Sequence, residues 1–302
     1  MNPTEQKNRS EGEAAAPRPA RRRTPVRRVD LHTHTNASDG EHTPEELIAL
    51  ARARGLDVIA LTDHDTTAGV ERALAAAAGA GDIELIPGVE LSTDVPGYEI
   101  HVLGYFVDWR DPDFQVMLNK FRDGRIGRAE KIVAKLIDLG APVSFERVKE
   151  LAGDANIGRP HIARVLLEAG HVTTIQEAFD KYLANDKPAY VEHYSLPPAE
   201  AVKLIRSAGG TPVYAHPRGA TQFVPELVKA GLLGLECYYA QYDEREQQEL
   251  VAVAKQYGLI ATGGSDFHGL HKMGHMNKLG EAHVPPEVVE QLERAHIQIE
   301  SR

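Results

Sequence analysis

Nine residues of two chemical kinds recur at or near the ends of short apolar runs. They are His32 and His34 in DLHTHT, Asp39 shortly after, His64 in TDHD, Glu90 in PGVE, His101 in YEIHVLG, His216 in YAHP, and Asp266 with His268 in GSDFH. Imidazoles and carboxylates without a thiolate suit borderline divalent ions such as zinc, manganese or iron rather than calcium or magnesium alone. The single cysteine, Cys237, can form neither an intrachain disulfide nor a thiolate cluster. In His32-x-His34 the strand alternation turns both imidazoles to one side, as two ligands of one ion require. Nine donors exceed the roughly three or four protein ligands of one catalytic ion. The set therefore predicts two or three ions that share at least one bridging carboxylate. A lone histidine reads more readily as a capping or core residue, but nine donors at such places do not.

The elements that must bring these residues together are legible as a rhythm. From Val29 onward, short β-branched runs alternate with amphipathic stretches. The clearest helix has Thr43 as N-cap, Pro44 at its first position, Glu45 and Glu46 in the first turn and Gly55 closing it. VDLHTHT, LDVIALT, IELIPGVEL, YEIHVLGYFV, TPVYAHP, LLGLECYY and GLIATGG predict seven strands. Strands mostly followed by helices favour a barrel-like or doubly wound α/β body, with the donors converging at the carboxyl ends of parallel strands. Between Asp108 and about Tyr194 the rhythm turns helical, over Phe114 to Leu139, Phe145 to Ala152, His161 to Ala169 and Thr174 to Leu183. This predicts a tail over 1–28, barrel over 29–108 and 195–302, and a helical insertion over 109–194 that sits above the strand ends as a lid.

Charge narrows the ligands. Of 302 residues with net charge −10, residues 1–28 hold seven Arg and one Lys against three Glu, so the remainder carries −15. An acidic body repels a long polyanion, so long duplex nucleic acid is not an expected ligand. The tail has the composition of a solvated, disordered segment; its RRR run could touch RNA or an acidic surface, and its partner is unknown. No stretch approaches the roughly 18 to 20 apolar residues of a membrane span, and no apolar signal core is present, which places the protein in the cytoplasm. Neither GxxxxGK[ST] nor GxGxxG after a strand occurs, which excludes nucleotide binding by those loops. His42, His171, His193, His283 and His296 read as turn or polar-face residues, and His271 and His275 as solvent-exposed. Gly88, Gly263 and Gly264 are expected to allow close backbone approach. Asp63 and Asp65 could orient His64 or carry a proton.

At DLHTHTNASDG, TDHD, GVE, AHP and GSDFH the chain resembles the polymerase and histidinol phosphatase (PHP) family of metal-dependent phosphoesterases, over about residues 29–108 and 195–270. The resemblance implies a distorted seven-stranded β/α barrel with a trinuclear site. One ion would take His32, His34, Glu90 and Asp266; a second Glu90, His101 and His216; a third Asp39, His64 and His268. The SDG after the first histidines, the helical insert and NIGRPHIARVLLEAGHV are similar to the branch described as nucleoside 3′,5′-bisphosphate phosphatases and 5′-to-3′ exoribonucleases of short RNA. Histidinol phosphate phosphatases carry similar metal residues but lack GRPHIA in this context. The basic tail is a departure from the core pattern.

Such a cluster is expected to supply a hydroxide near neutral pH and to neutralise phosphoryl oxygens. Asp266, His268, His64 and Glu90 are the residues expected to carry this chemistry, with the hydroxide at the ions sharing Glu90 and the phosphate near His64 and His268. Arg159, Arg218 and His161 are candidates for binding a second phosphate or the ribose, because a guanidinium fork matches phosphate. Two rival functions remain: a phosphatase of another metabolite such as histidinol phosphate, and a non-catalytic metal-binding regulatory module.

Overall fold

Each of the seven apolar runs folds as a strand in the computed structural model, which describes residues 27–79, 82–95, 97–153, 156–192, 196–269 and 277–301. β1 (Val29–Asp30), β2 (Val58–Leu61), β3 (Glu84–Val95), β4 (Tyr98–Tyr105), β5 (Thr211–Tyr214), β6 (Gly234–Tyr239) and β7 (Ile260–Gly264) lie side by side in chain order in one sheet. Just beyond these strand ends, Thr33 bridges Phe267, and the His34 N–H donates to the Phe267 carbonyl at 2.9 Å. The first and last strands so meet, and the sheet curls into a nearly closed barrel of mixed α/β type. Strands such as β2, with all four residues buried, are apolar throughout because both faces are covered.

Closure depends on glycine. A Cβ at Gly264 would collide with the His32 backbone, and one at Gly263 with the Tyr238 carbonyl. The Tyr105 hydroxyl ties the wall further by donating to the Leu31 carbonyl at 2.9 Å.

One strand departs from the expected arrangement of donors at parallel strand ends. β4 runs antiparallel to both β3 and β5, so His101 reaches the site from the first half of its strand. Glu90 lies inside the long β3 rather than at its end, because β3 continues past the barrel rim to pair with β4 from Val95↔Tyr98 inward.

The helices form where punctuation placed them. In α1 (Pro44–Ala53) the Thr43 hydroxyl accepts from the Glu46 N–H while Glu46 accepts from the Thr43 N–H, and Gly55 leaves at φ +68. α2 (Val70–Ala78) follows β2. Between β4 and β5 stand α3 (Pro112–Asp138), α4 (Phe145–Ala152), α5 (Arg159–Glu168) and α6 (Ile175–Ala178), the last running into a π-turn over Phe179–Leu183. Their side chains form a cluster of their own, including Ile132, Leu136, Val148, Ile162 and Leu166. The first half of α3 buries Phe114, Leu118 and Phe121 against Val89 and Leu91 of the barrel. One helix is therefore shared by two cores. α7 (Pro198–Ser207), α8 (Val224–Ala230), α9 (Glu244–Tyr257) and α10 (Glu287–Glu300) complete the outer layer. Among the described residues, no helix is long and apolar enough to cross a membrane. Of the basic tail only Arg27 and Arg28 are described, and the Arg28 N–H donates to Asp57 Oδ2 at 2.7 Å.

Gly264→Ala is expected to destabilise the protein by about 1–3 kcal/mol through forced displacement of β7 from His32. Thermal unfolding beside the parent protein measures this, and an unchanged Tm would show that the close approach is dispensable.

Candidate metal centre

Glu90 is fully buried and five imidazoles surround its carboxylate. Oε2 lies 3.2 Å from His32 Nε2, His34 Nε2 and His64 Nδ1, while Oε1 lies 2.9 Å from His101 Nδ1 and 3.1 Å from His216 Nε2. Asp266 Oδ1 approaches His34 Nε2 at 3.1 Å and His32 Nε2 at 3.4 Å. Beside this group, His268 Nε2 lies 3.2 Å from Asp39 Oδ1. The elements explain this convergence. His32 and His34 follow β1, His64 follows β2 and bridges Glu90 in parallel fashion, His216 follows β5, and Asp266 and His268 follow β7. Asp266 (φ +54) and His216 (φ +29) both adopt left-handed backbone, which turns the chain sharply as it leaves the sheet.

These residues fit metal ions. His34 Nδ1 and Nε2 and His64 Nδ1 are buried without an aligned hydrogen bond. Nitrogen and oxygen donors bound at about 2.1 Å with octahedral to tetrahedral angles lie about 3.0–3.4 Å apart, close to the separations observed. Three groups have donor atoms within 4.8 Å of one another: His32, His34, Glu90 and Asp266; His34, Asp39, His64 and His268; and His64, Glu90 and His101. All nine residues singled out in the sequence lie in this contiguous assembly, with His216 joined through Glu90 Oε1.

Burial opposes ionisation of Glu90 and Asp266, yet the surrounding imidazoles hold both carboxyls well below the usual range. Burial pulls the histidines the other way. At His101 it is outweighed by Glu90 and Glu99, which push the imidazole up to about 10, and at His34 by Asp266 and Glu90, which push it up to about 9. At His64 burial prevails and holds it down to about 3. A cation entering the centre competes with protons for the same lone pairs.

A supporting layer escaped the sequence reading. Glu236, wholly buried on β6, accepts from His32 Nδ1 at 3.0 Å through Oε1 and from the His216 N–H at 2.7 Å through Oε2. It thereby fixes the His32 tautomer and leaves Nε2 for the centre. A charge inside the apolar run LLGLECYY was its only signal. Asp30 holds the GSDFH loop by accepting from the Ser265 N–H at 2.8 Å and the Ser265 hydroxyl at 2.6 Å, and burial raises its carboxyl. The Tyr239 hydroxyl donates to Asp266 Oδ2 at 2.8 Å, and His268 Nδ1 donates to the Asp266 carbonyl at 3.0 Å, which leaves Nε2 facing Asp39.

Asp63 does not touch His64 through a recorded hydrogen bond. Its carboxylate accepts from the Thr35 N–H and hydroxyl, each at 2.7 Å, and from the Ser38 hydroxyl at 2.6 Å, fastening the loop that carries Asp39. Asp65 accepts from the Ser92 N–H at 2.8 Å and from Arg125 Nε at 2.7 Å. Arg159 reaches the rim, where it donates to Glu99 at 2.6 Å and to Asn185 at 2.8 Å. Glu99 in turn lies 3.6 Å from His101 Nε2. Arg218 is half-exposed and donates to Glu246 and to the Gln241 carbonyl, both at 2.8 Å. His161 is buried, accepts from the Gly158 N–H at 3.0 Å, and joins Arg164 in the wall of a cavity of about 760 Å³ between the 36–41 loop and α4 and α5. Outside the centre, His42 stacks on Phe267 and His296 donates to the Gly209 carbonyl, while His171 donates to the Pro142 carbonyl and His283 is exposed. His193, His271 and His275 lie outside the described residues.

Comparison with known proteins gives the class. The chain is 36% identical over 250 residues to a 5′-3′ exoribonuclease of Haemophilus influenzae, covering 80% of this chain and 90% of that protein. It is 35% identical over 263 residues to a 3′,5′-nucleoside bisphosphate phosphatase of Chromobacterium violaceum, covering 83% and 92%. A Bifidobacterium adolescentis structure, solved as that of a presumed metal-dependent phosphoesterase, superposes with a TM-score of 0.82 at 29% identity, over 92% of this chain and 99% of that one. The protein is an enzyme of the metal-dependent phosphoesterase class. More particularly, a PHP domain match spans residues 30–294, and the chain belongs to that family.

Glu236→Gln is expected to weaken metal binding by about 10–100-fold while the barrel stays folded, because an amide can accept from only one of His32 Nδ1–H and the His216 N–H and turns a donor toward the other. Chelator competition monitored by elemental analysis measures it; unchanged affinity would mean that β6 does not tune the centre.

Proposed function

We propose that this phosphoesterase acts on small nucleotides, hydrolysing nucleoside 3′,5′-bisphosphates to nucleoside 5′-monophosphate and phosphate, and that it also trims short 5′-phosphorylated RNA from the 5′ end. The observation that carries the reading is the two-sided sharing of Glu90 among imidazoles from four strands or strand exits. The two nucleotide-directed relatives, each aligned over most of the chain, favour that substrate class over histidinol phosphate. Two or three divalent ions, manganese, zinc or iron, would be held by His32, His34, Glu90 and Asp266, by Glu90, His101 and His216, and by Asp39, His64 and His268.

Ions at these positions supply a nucleophile at neutral pH and neutralise phosphoryl charge. The chain does the rest. Glu90 and Asp266, kept ionised, fix the positive charge of the centre at one depth. His64, His268, His101 and His216, with side chains 12–27% exposed, form the face that substrate reaches, whereas His32 and His34 are sealed behind it. Arg159 and Arg218 stand ready for a second phosphate, which must displace Glu99 and Glu246 as their partners. His161 lines the cavity beside the Asp39 loop, a space suited to the nucleoside. The helical segment 109–194, rooted in the barrel core through the first half of α3, roofs the barrel formed by 29–108 and 195–302. The acidic body keeps long duplexes out, and the basic tail serves a partner not involved in hydrolysis. A small-nucleotide enzyme of this kind works in the cytoplasm.

The manganese-loaded protein is expected to release phosphate from adenosine 3′,5′-bisphosphate, with Asp266→Ala reducing release to background and a chelator doing the same. Preferential turnover of histidinol phosphate at equal concentration would transfer the reading to that substrate. Metal uptake without hydrolysis of any ester would favour a regulatory module.

A further inference from the structure

The helical segment touches the centre through two residues that no metal motif contains. Asn156, between α4 and α5, is 4% exposed and lies beside the TDHD loop. Its Nδ2 donates to the His64 carbonyl at 2.9 Å and to the Asp65 carbonyl at 3.0 Å, using both amide hydrogens of one side chain. Its own N–H donates to the Ala37 carbonyl at 3.3 Å. One asparagine thus binds the loop that carries His64 and the loop that carries Asp39.

Arg125, near the middle of α3, grips the same loop from the other side. It donates through Nε to Asp65 Oδ2 and through Nη2 to the Ser92 hydroxyl, each at 2.7 Å. Asp65 is fully buried and sits at φ +52, a conformation that an aspartate holds only when its surroundings over-determine it. Its N–H donates to the Glu90 carbonyl at 2.9 Å, so the turn that aims His64 is fastened to the bridging carboxylate's own strand.

We propose that Asn156, backed by Arg125, is a positioning residue for the ion held by Asp39, His64 and His268. Docking of the helical segment and occupancy of that position are then coupled. Asp63 ties the two loops together from within the barrel and the Asp65 N–H fastens the peptide after His64 to β3, while Asn156 holds that peptide and the next by their carbonyls from the side of the helical segment. Without that fork, the separation of His64 and Asp39 rests on Asp63 alone among these ties and loosens, while His32 and Asp266 keep their own supports in Glu236, Asp30 and Tyr239. Coupling of this kind is reciprocal: an ion at that position strengthens the docking of α3 and Asn156 by the same factor by which docking strengthens ion binding. The inference rests on the metal-dependent reading of the centre.

The test uses the full chain and manganese alone. Asn156→Ala and Arg125→Met are expected to hold one ion fewer per chain at limiting free manganese, with affinity for that last ion lowered about 10–100-fold. Arg125→Lys recovers part of the loss. Arg147→Ala, which removes exposed ion pairs to Glu168 and Glu150 on the far side of the segment, changes nothing. In the metal-free protein, hydrogen exchange over residues 63–66 rises in Asn156→Ala and stays unchanged in the strands. Equal last-ion affinity in Asn156→Ala and the parent overturns the proposal, as does an equal loss of all ions. A parent protein that takes up no manganese overturns the metal reading instead, and exchange at 63–66 still decides whether Asn156 holds the loop.

Discussion

Removing the Glu90 carboxylate from water costs several kcal/mol unless opposite charge or hydrogen-bond donors replace the lost hydration. In this protein the replacement comes from five imidazoles at 2.9–3.2 Å, delivered by strand β4 and by the exits of β1, β2 and β5. The barrel is therefore organised around one anion. β3 must carry Glu90 to the axis, its neighbours must present nitrogen at one depth, and β7 must swing close enough to β1 for Asp266 to face His32 and His34. Gly264 answers that last demand, since a side chain there would hold β7 away from His32, while Gly263 allows the same close approach of β7 to Tyr238 of β6.

Around the centre, further buried carboxylates make no direct claim on an ion but decide where the ligands stand. Asp30, Asp63 and Glu236 each accept hydrogen bonds that fix a loop or a ring. The local backbone is unfavourable where these loops begin, with Asp65, His216 and Asp266 all at positive φ. A strained residue of this kind costs about 1–3 kcal/mol. The strain is concentrated at the ligands' own turns, where the side-chain bonds of Asp65 and Asp266 and the Glu236 bond to the His216 N–H offset it.

The donor residues were legible because histidines and carboxylates are conspicuous beside short apolar runs, and a parallel α/β body brings strand ends together. Helix punctuation was equally legible at Thr43–Pro44 and across the helical segment. The direction of β4 was not, because YEIHVLGY has the same alternation whichever way it is read, and only its antiparallel pairing with β3 puts His101 on the right rim. Glu236 hid inside an apolar strand, where a charge has no meaning until the partner across the barrel is known. The roles of Arg125 and of Asn156, which opens NIGRPHIA, were hidden for a related reason: each acts on a loop more than 50 residues away, and an arginine on a long polar helix reads as a solvated one.

α3 spans 27 residues, about 40 Å, with its first half built into the barrel and its second half into the helical cluster. No loop separates the two cores along this path, so relative motion must pass through the helix itself. Its middle turn reads Gly124-Arg125-Ile126-Gly127, and each of the two glycines costs a helix interior about 1 kcal/mol relative to alanine. The beam is thus weakest at the turn whose arginine holds Asp65. The attachment of the helical segment to the barrel and the hold on the peptide that aims His64 therefore share a single turn of one helix.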